Sequence, residues 1–234
     1  EGFANDVITL GDGKNIKAKH YDHSIGKMSK PVSIKTNDFI IVNGLHALYL
    51  PILRDSYNLR IFLDIDEGLR KYFKVRRDHF NRGHSIENIL ESIENRKHDS
   101  ERFIKPQRDH ADIIFKLLPV NKDFILDYKN EESDLRLKLI VSTQNGAPEA
   151  SLTEVLIGIC GLHVDVWISK NGIDSRMTIE GEINSEDIGM AARMLYPEML
   201  EFLDIYPKWE NGMVGIMQLI TISYIRQAMK KRFN

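Results

Sequence analysis

Apolar and polar positions along this 234-residue chain fall into blocks that read as separate elements. Two short apolar runs, Phe39–Val42 and Leu59–Leu63, have strand length, and each gives way to a polar turn. From Asp66 to Arg82 the pattern is helical, with Leu69, Phe73 and Phe80 set among Arg70, Lys71, Lys74, Arg76 and Arg77. Asp66, just before Glu67, suits the N-cap of that helix. Ser85 suits the cap of the next, Ile86–Lys97, where Ile86, Ile89, Leu90 and Ile93 follow the i, i+3, i+4, i+7 rule. Ile113–Leu118 is again strand-like and is closed by Pro119. Apolar strands with helices between them predict a mostly parallel sheet buried on both faces. Ligands of such sheets gather at the carboxyl ends of the strands, where Asn43, His46, Asp64 and Asp66 should lie.

Past residue 120 the pattern changes. Asn121–Ser133 is a charged connector. Leu135–Val141 alternates like a half-buried strand, and Leu162–Ile168 and Met177–Ile183 read as two more. Asn184–Leu195 and Glu198–Leu203 read as helices, with Pro197 fitted to the start of the second. Met213–Lys230 is the strongest helix, and its methionines Met213, Met217 and Met229 read as core filler.

Composition narrows the class. At 28% charged and 42% hydrophobic residues the chain is an ordinary globular protein, and its net charge of −2 speaks for neither a nucleic-acid nor a membrane partner. Met213–Ile225, the longest apolar run, is too short to span a bilayer. No signal peptide is visible, so the expected compartment is cytoplasmic. The one cysteine, Cys160, lies in an apolar run and reads as a buried structural thiol.

Candidate chemistry in the first forty residues is sparse. Gly11-Asp-Gly13 lacks the spacing of Gly-x-x-x-x-Gly-Lys-Ser/Thr, which aims backbone N–H groups at phosphates, and reads as a turn. His20 and His23, i and i+3 in a loop-like segment, lack both helical i, i+4 geometry and a third ligand, so no metal site is assigned. Tyr21, Asp22 and His23 together offer a phenol, a carboxylate and an imidazole, groups suited to sugar hydroxyls or to a plain solvated turn.

Several words of the sequence occur in a telling order. They are Asn43-Gly-Leu-His-Ala-Leu-Tyr49, Phe62-Leu-Asp-Ile-Asp66, Arg77-Asp78 with Arg82-Gly-His-Ser85, and Ile104-Lys-Pro-Gln107 followed by Ala111-Asp112-Ile113. In this order and spacing they resemble the phosphoribulokinase/uridine kinase family over roughly residues 5–120. The implied fold is α/β: a P-loop-kinase-like, mostly parallel sheet without its N-terminal unit over residues 1–120, then an α+β region over 121–234. On this resemblance the chain is expected to start partway through the fold, after the strand, phosphate loop and helix that carry ATP.

The resemblance also implies roles. Arg76, Arg77 and Arg82 fall where the family places a lid over the phosphates, a task suited to bidentate guanidinium groups. Tyr21, Asp22, His23 and His46 would line the pocket of the small-molecule phosphate acceptor. Asn43 stands where the family has an acidic residue near Mg²⁺; it brings no charge to that hard cation. The implied activity is ATP- and Mg²⁺-dependent phosphorylation of a sugar-phosphate or nucleoside hydroxyl, with this chain inactive by itself. Asn43 and the missing loop leave open a ligand-binding protein without turnover. The C-terminal region is expected to pack on the kinase core and to help form a homo-oligomer.

Overall fold

The structure, a computed structural model, describes residues 2–22, 26–144, 149–198, 205 and 207–233. The helix α1 (Gly2–Gly11) opens the chain, followed by two small antiparallel ladders: β1 (Ile16–Ala18) with β4 (Val32–Ile34), and β2 (Tyr21–Asp22) with β3 (Lys27–Met28). The 16–30 segment reads as loop-like in sequence because its strands are only two or three residues long and carry no clean alternation.

Phe39–Val42 is not a strand. It runs as irregular chain with Ile41 90% exposed, and only Val42 turns inward, against Ala4, Val7 and Leu53. A strand exists through its neighbour's hydrogen bonds, and no strand among the described residues runs beside this one. Beyond it come a turn over 44–50 and the short helix α2 (Pro51–Arg54).

The main sheet has five strands in the order β5-β6-β7-β9-β8: β5 (Ile61–Ile65), β6 (Ile113–Pro119), β7 (Leu137–Thr143), β8 (His163–Ile168) and β9 (Ser175–Glu180). The pair β5–β6 is parallel, from Ile61 beside Ile113 to Ile65 beside Leu117. The other three pairs are antiparallel, so one mixed sheet runs across residue 120. β7 and β9 each lie about two residues from their expected positions, the usual uncertainty of element ends read from pattern alone.

Between β5 and β6 the chain forms α3 (Glu67–Val75), a widened π turn at Arg76–Phe80, α4 (Ile86–Asn95) and α5 (Lys97–Asp99). Both expected caps are present. Asp66 accepts from the N–H groups of Gly68 and Leu69 at 2.9 and 3.1 Å, and Ser85 accepts from Asn88 at 3.3 Å.

Along each strand alternate residues face opposite sides. Ile113, Phe115, Leu139, Val141, Met177 and Ile179 share one face, covered by α6 (Ala150–Gly158), α7 (Ser185–Leu195) and α8 (Gly212–Phe233) through Leu152, Leu156, Ile188, Ile216, Leu219 and Ile220. The helix α6 went unread in sequence, because its apolar residues form no sharp stripe. Asn184 caps α7 through the Asp187 N–H, and α8 matches the expected Met213–Lys230 helix. The expected Glu198–Leu203 helix lies outside the described residues, apart from Glu198 itself.

Candidate phosphate-binding cleft

β5 delivers the chain to the site. At its carboxyl end Asp66 starts α3, so the helix leaves the sheet beside Ile65. Along α3 and into the turn that follows, Arg70, Lys74 and Arg77 recur at steps of four and three and therefore share a face. They line a cleft of about 560 Å³ together with Ile65, Phe73, Asn81 and Glu132. Lys74 donates to Ser92 at 3.3 Å. Burial depresses its ammonium pKa, reinforced by Arg96, Arg70 and Arg77 and opposed by Asp78. A lysine in that position gains from an incoming anion.

Asp78 organises the arginines. It is buried, and it accepts from Arg77 Nε at 2.8 Å, Arg77 Nη2 at 3.2 Å and Arg82 Nη1 at 3.1 Å. Hydrogen bonding from Arg77 lowers the Asp78 pKa, with help from the charges of Arg77, Arg82 and Lys74 and against the effect of burial. The Arg77 pKa rises for the same reason. The π turn at Arg76–Phe80 sets this arrangement, and Gly83, at φ +73°, lets the chain reverse into α4 with the His84 N–H bonded to the Asp78 carbonyl at 3.0 Å.

The arginines do not all behave alike. Arg77 and Arg82 are more than half exposed beyond their shared carboxylate. Arg76 turns the other way: it donates to the carbonyls of Tyr128 and Asn130 at 3.1 and 2.8 Å, pairs with Glu131 and Glu132, and lies over the rings of Tyr72 and Phe80. Its guanidinium is engaged in holding the 128–132 segment to α3.

His46 has a different support. The 44–50 turn is clamped by buried Gln107, which accepts from the Leu48 N–H at 2.9 Å and donates to the carbonyls of Leu45 and Phe103 at 2.7 Å each. Edge-on ring contacts run from His46 to Tyr49 and from Tyr49 to Phe103. Asn43 is exposed just ahead of this turn. Tyr21 lies on the β2–β3 hairpin, the backbone of Asp22 beside it, and His23 lies outside the described residues. The candidate residues thus rest on three supports: the α3 arginine turn, the Gln107-clamped turn and the N-terminal hairpin.

Arg70, Lys74, Asp78 and Gln107 were not among the residues assigned from sequence. The i, i+4, i+7 spacing of the three cations was visible there, whereas the Asp78 bridge and the Gln107 clamp join residues only the fold brings together. No three His, Cys, Asp or Glu side chains among the described residues converge in the manner of a metal site. Asp64 is already matched by Lys116 at 3.2 Å and Arg108 at 3.7 Å. No helix among the described residues is long and apolar enough to cross a membrane.

The family model described as "Phosphoribulokinase / Uridine kinase family" matches residues 2–123. The chain belongs to the phosphoribulokinase/uridine kinase family. Phosphoribulokinase of Synechocystis sp. is 34% identical over 134 residues, covering 57% of this chain and 39% of that one. The chloroplastic phosphoribulokinase of Spinacia oleracea is also 34% identical over 134 residues, covering 57% and 33%. A uridine kinase of Staphylococcus epidermidis is 34% identical over 119 residues, covering 48% and 58%. The matched stretch thus spans two fifths or less of these phosphoribulokinases. Among solved structures, phosphoribulokinase from Rhodobacter spheroides superposes with a TM-score of 0.54 at 15% identity, covering 95% of this chain and 73% of that one. That likeness is one of fold: an α/β, P-loop-kinase-like architecture.

Proposed function

We propose that this chain carries the phosphate-closing part of an ATP-dependent kinase acting on a hydroxyl of a sugar phosphate or nucleoside. The observation that supports this most directly is the cleft in which Arg70, Lys74 and Arg77 converge, backed by the Asp78 bridge to Arg82. A phosphoryl group in transfer spreads negative charge over its oxygens, and catalysis of that step is mainly positioning and electrostatics. Arg77 presents a guanidinium whose direction Asp78 holds, and Lys74 supplies a half-buried ammonium that an anion would stabilise. Arg82 shares the same carboxylate and would close from the turn side. Phosphates of ATP fit this donor set.

Mg²⁺ does not fit the residues described. Asn43 is neutral and exposed, and Asp64 is paired with two cations, so no step is derived through the metal. In this proposal His46 and Tyr21 serve the acceptor, whose hydroxyls would exchange hydrogen bonds with them, and Asp22 and His23 keep the acceptor role that the resemblance implies.

The test is made on the full-length protein. Arg77→Ala and Lys74→Met are each expected to lower kcat/KM for ATP by about 10²–10³-fold, the range seen when one transition-state donor is removed. ADP release would be followed with ribulose 5-phosphate and with uridine as acceptors. Unchanged kcat/KM in both variants would refute the assignment of the cleft. A second reading, ligand binding without turnover, is favoured by the neutral Asn43; it would show as thermal stabilisation by ATP with no acceptor-dependent ADP release.

A further inference from the structure

Arg76 is the most buried of the three arginines at the α3 turn, with 16% of its side chain exposed against 55% for Arg77 and 57% for Arg82, yet it does not line the cleft. Two carbonyls, of Tyr128 and Asn130, take one arm of its guanidinium. The remaining nitrogens meet two carboxylates, Glu131 at 3.2 Å and Glu132 at 3.6 Å. Glu132 is the carboxylate that does line the cleft.

The charges around the cleft show what Glu132 faces there. Arg70 already holds Glu67 through two hydrogen bonds, and Arg77 holds Asp78 through two more. Lys74 differs: it donates to the neutral Ser92 hydroxyl and makes no ion pair among the described residues. Burial and three neighbouring guanidinium groups disfavour its charged form, with Asp78 opposing them, so a carboxylate or a phosphate that reached it would be held. The Glu132 side chain is half exposed and faces the same cleft. It therefore competes with any incoming anion for this ammonium, and its ion pair with Arg76 draws it the other way.

We propose that Arg76 is a positioning residue of the phosphate cleft: it keeps Glu132 at the rim and so leaves Lys74 to the anion. The inference rests on the reading of the cleft as a phosphate site, and adds that a cation outside the cleft sets its affinity. A guanidinium suits the task, because its rigid fork serves carbonyls and carboxylates together and never loses its charge. The rings of Tyr72 and Phe80 lie against it and fix its direction further. The segment that carries Glu132 has its own tie to α3, since the Tyr72 hydroxyl donates to the Asn130 carbonyl at 2.5 Å. Removing the charge of Arg76 thus frees the carboxylate while the backbone stays tethered.

Calorimetric titration of the full-length protein with pyrophosphate, at neutral pH and low ionic strength, tests this. Arg76→Gln is expected to bind about five- to tenfold more weakly than the parent, because a charged hydrogen bond between Glu132 and Lys74 must then be broken first. Glu132→Gln should bind at least as tightly as the parent, and the double variant should follow Glu132→Gln rather than Arg76→Gln. Arg76→Lys, which keeps a cation for Glu132, should recover most of the loss. A second readout needs no ligand: by NMR of lysine-labelled protein, the Lys74 ammonium should titrate at higher pH in Arg76→Gln and return to the parent value in the double variant. Parent-like binding by Arg76→Gln, a double variant as weak as Arg76→Gln, or a Lys74 titration that Arg76→Gln leaves unmoved would each overturn the proposal. Pyrophosphate affinity untouched by Lys74→Met would instead refute the phosphate cleft itself, and the proposal with it.

Discussion

Replacing Asp78 by asparagine keeps the side chain's shape and removes its charge. In the native site the carboxylate accepts three charged hydrogen bonds, two from Arg77 and one from Arg82, with only a tenth of its side chain exposed. Breaking a fully buried ion pair costs about 3–5 kcal/mol because the remaining charge is stranded. Here both arginines are more than half exposed and can rehydrate, so the lower value set by charged hydrogen bonds, about 2 kcal/mol, is the better expectation. In a domain of this size that is a fall in Tm of roughly 4–8 °C. Urea unfolding and thermal scans of the full-length protein and Asp78→Asn would measure it. The pH dependence supplies an independent check. The folded-state pKa of Asp78 lies below the ordinary carboxylate value, so its contribution is fully present above the unfolded pKa and is lost as pH falls through the folded one. The gap between the two proteins should be constant from pH 8 to about 5 and narrow below that, given an unfolded pKa of about 3.9. Equal stabilities at pH 7, or a gap that persists unchanged into acid, would refute the bridge as drawn.

Two smaller perturbations probe the supports of the site. Gln107→Leu removes the partners of the Leu48 N–H and of the Leu45 and Phe103 carbonyls; a loss of about 2–3 kcal/mol is expected, with faster amide hydrogen exchange at Leu48 than in the parent. Asp66→Ala removes the cap of α3 and should cost about 1 kcal/mol in urea unfolding, while Asp66→Asn, which keeps an acceptor, should cost far less.

Local signals were legible where the chain settles its own hydrogen bonds. The caps at Asp66 and Ser85, the strand at Ile113–Pro119 and the long C-terminal helix each follow from a few neighbouring residues, and each is present. The family words also survive as structure: Arg77, Asp78 and Arg82 form the bridge, Gly83 makes the turn, and Gln107 clamps the segment that carries His46. What failed was the reading of Phe39–Val42 as a strand, because an apolar run specifies burial or pairing but not with what. Arg76 and Arg77 show the same limit at the scale of one side chain. They are adjacent in sequence and alike in chemistry, yet one turns to the 128–132 carbonyls and the other to the cleft.

The sequence by itself therefore determined the helices α3, α4, α7 and α8, the central strands and the kinase-family character of the first half, since propensity, capping and short motifs act over a few residues. Tertiary structure alone decided which strands pair and in which direction, which cations share the cleft, and that a buried aspartate holds two of the arginines. Those outcomes depend on groups far apart in the chain, such as Arg76 with Asn130 or Gln107 with Leu48. Their hydrogen bonds and charges acquire a sign and a direction only once the backbone has brought them within reach.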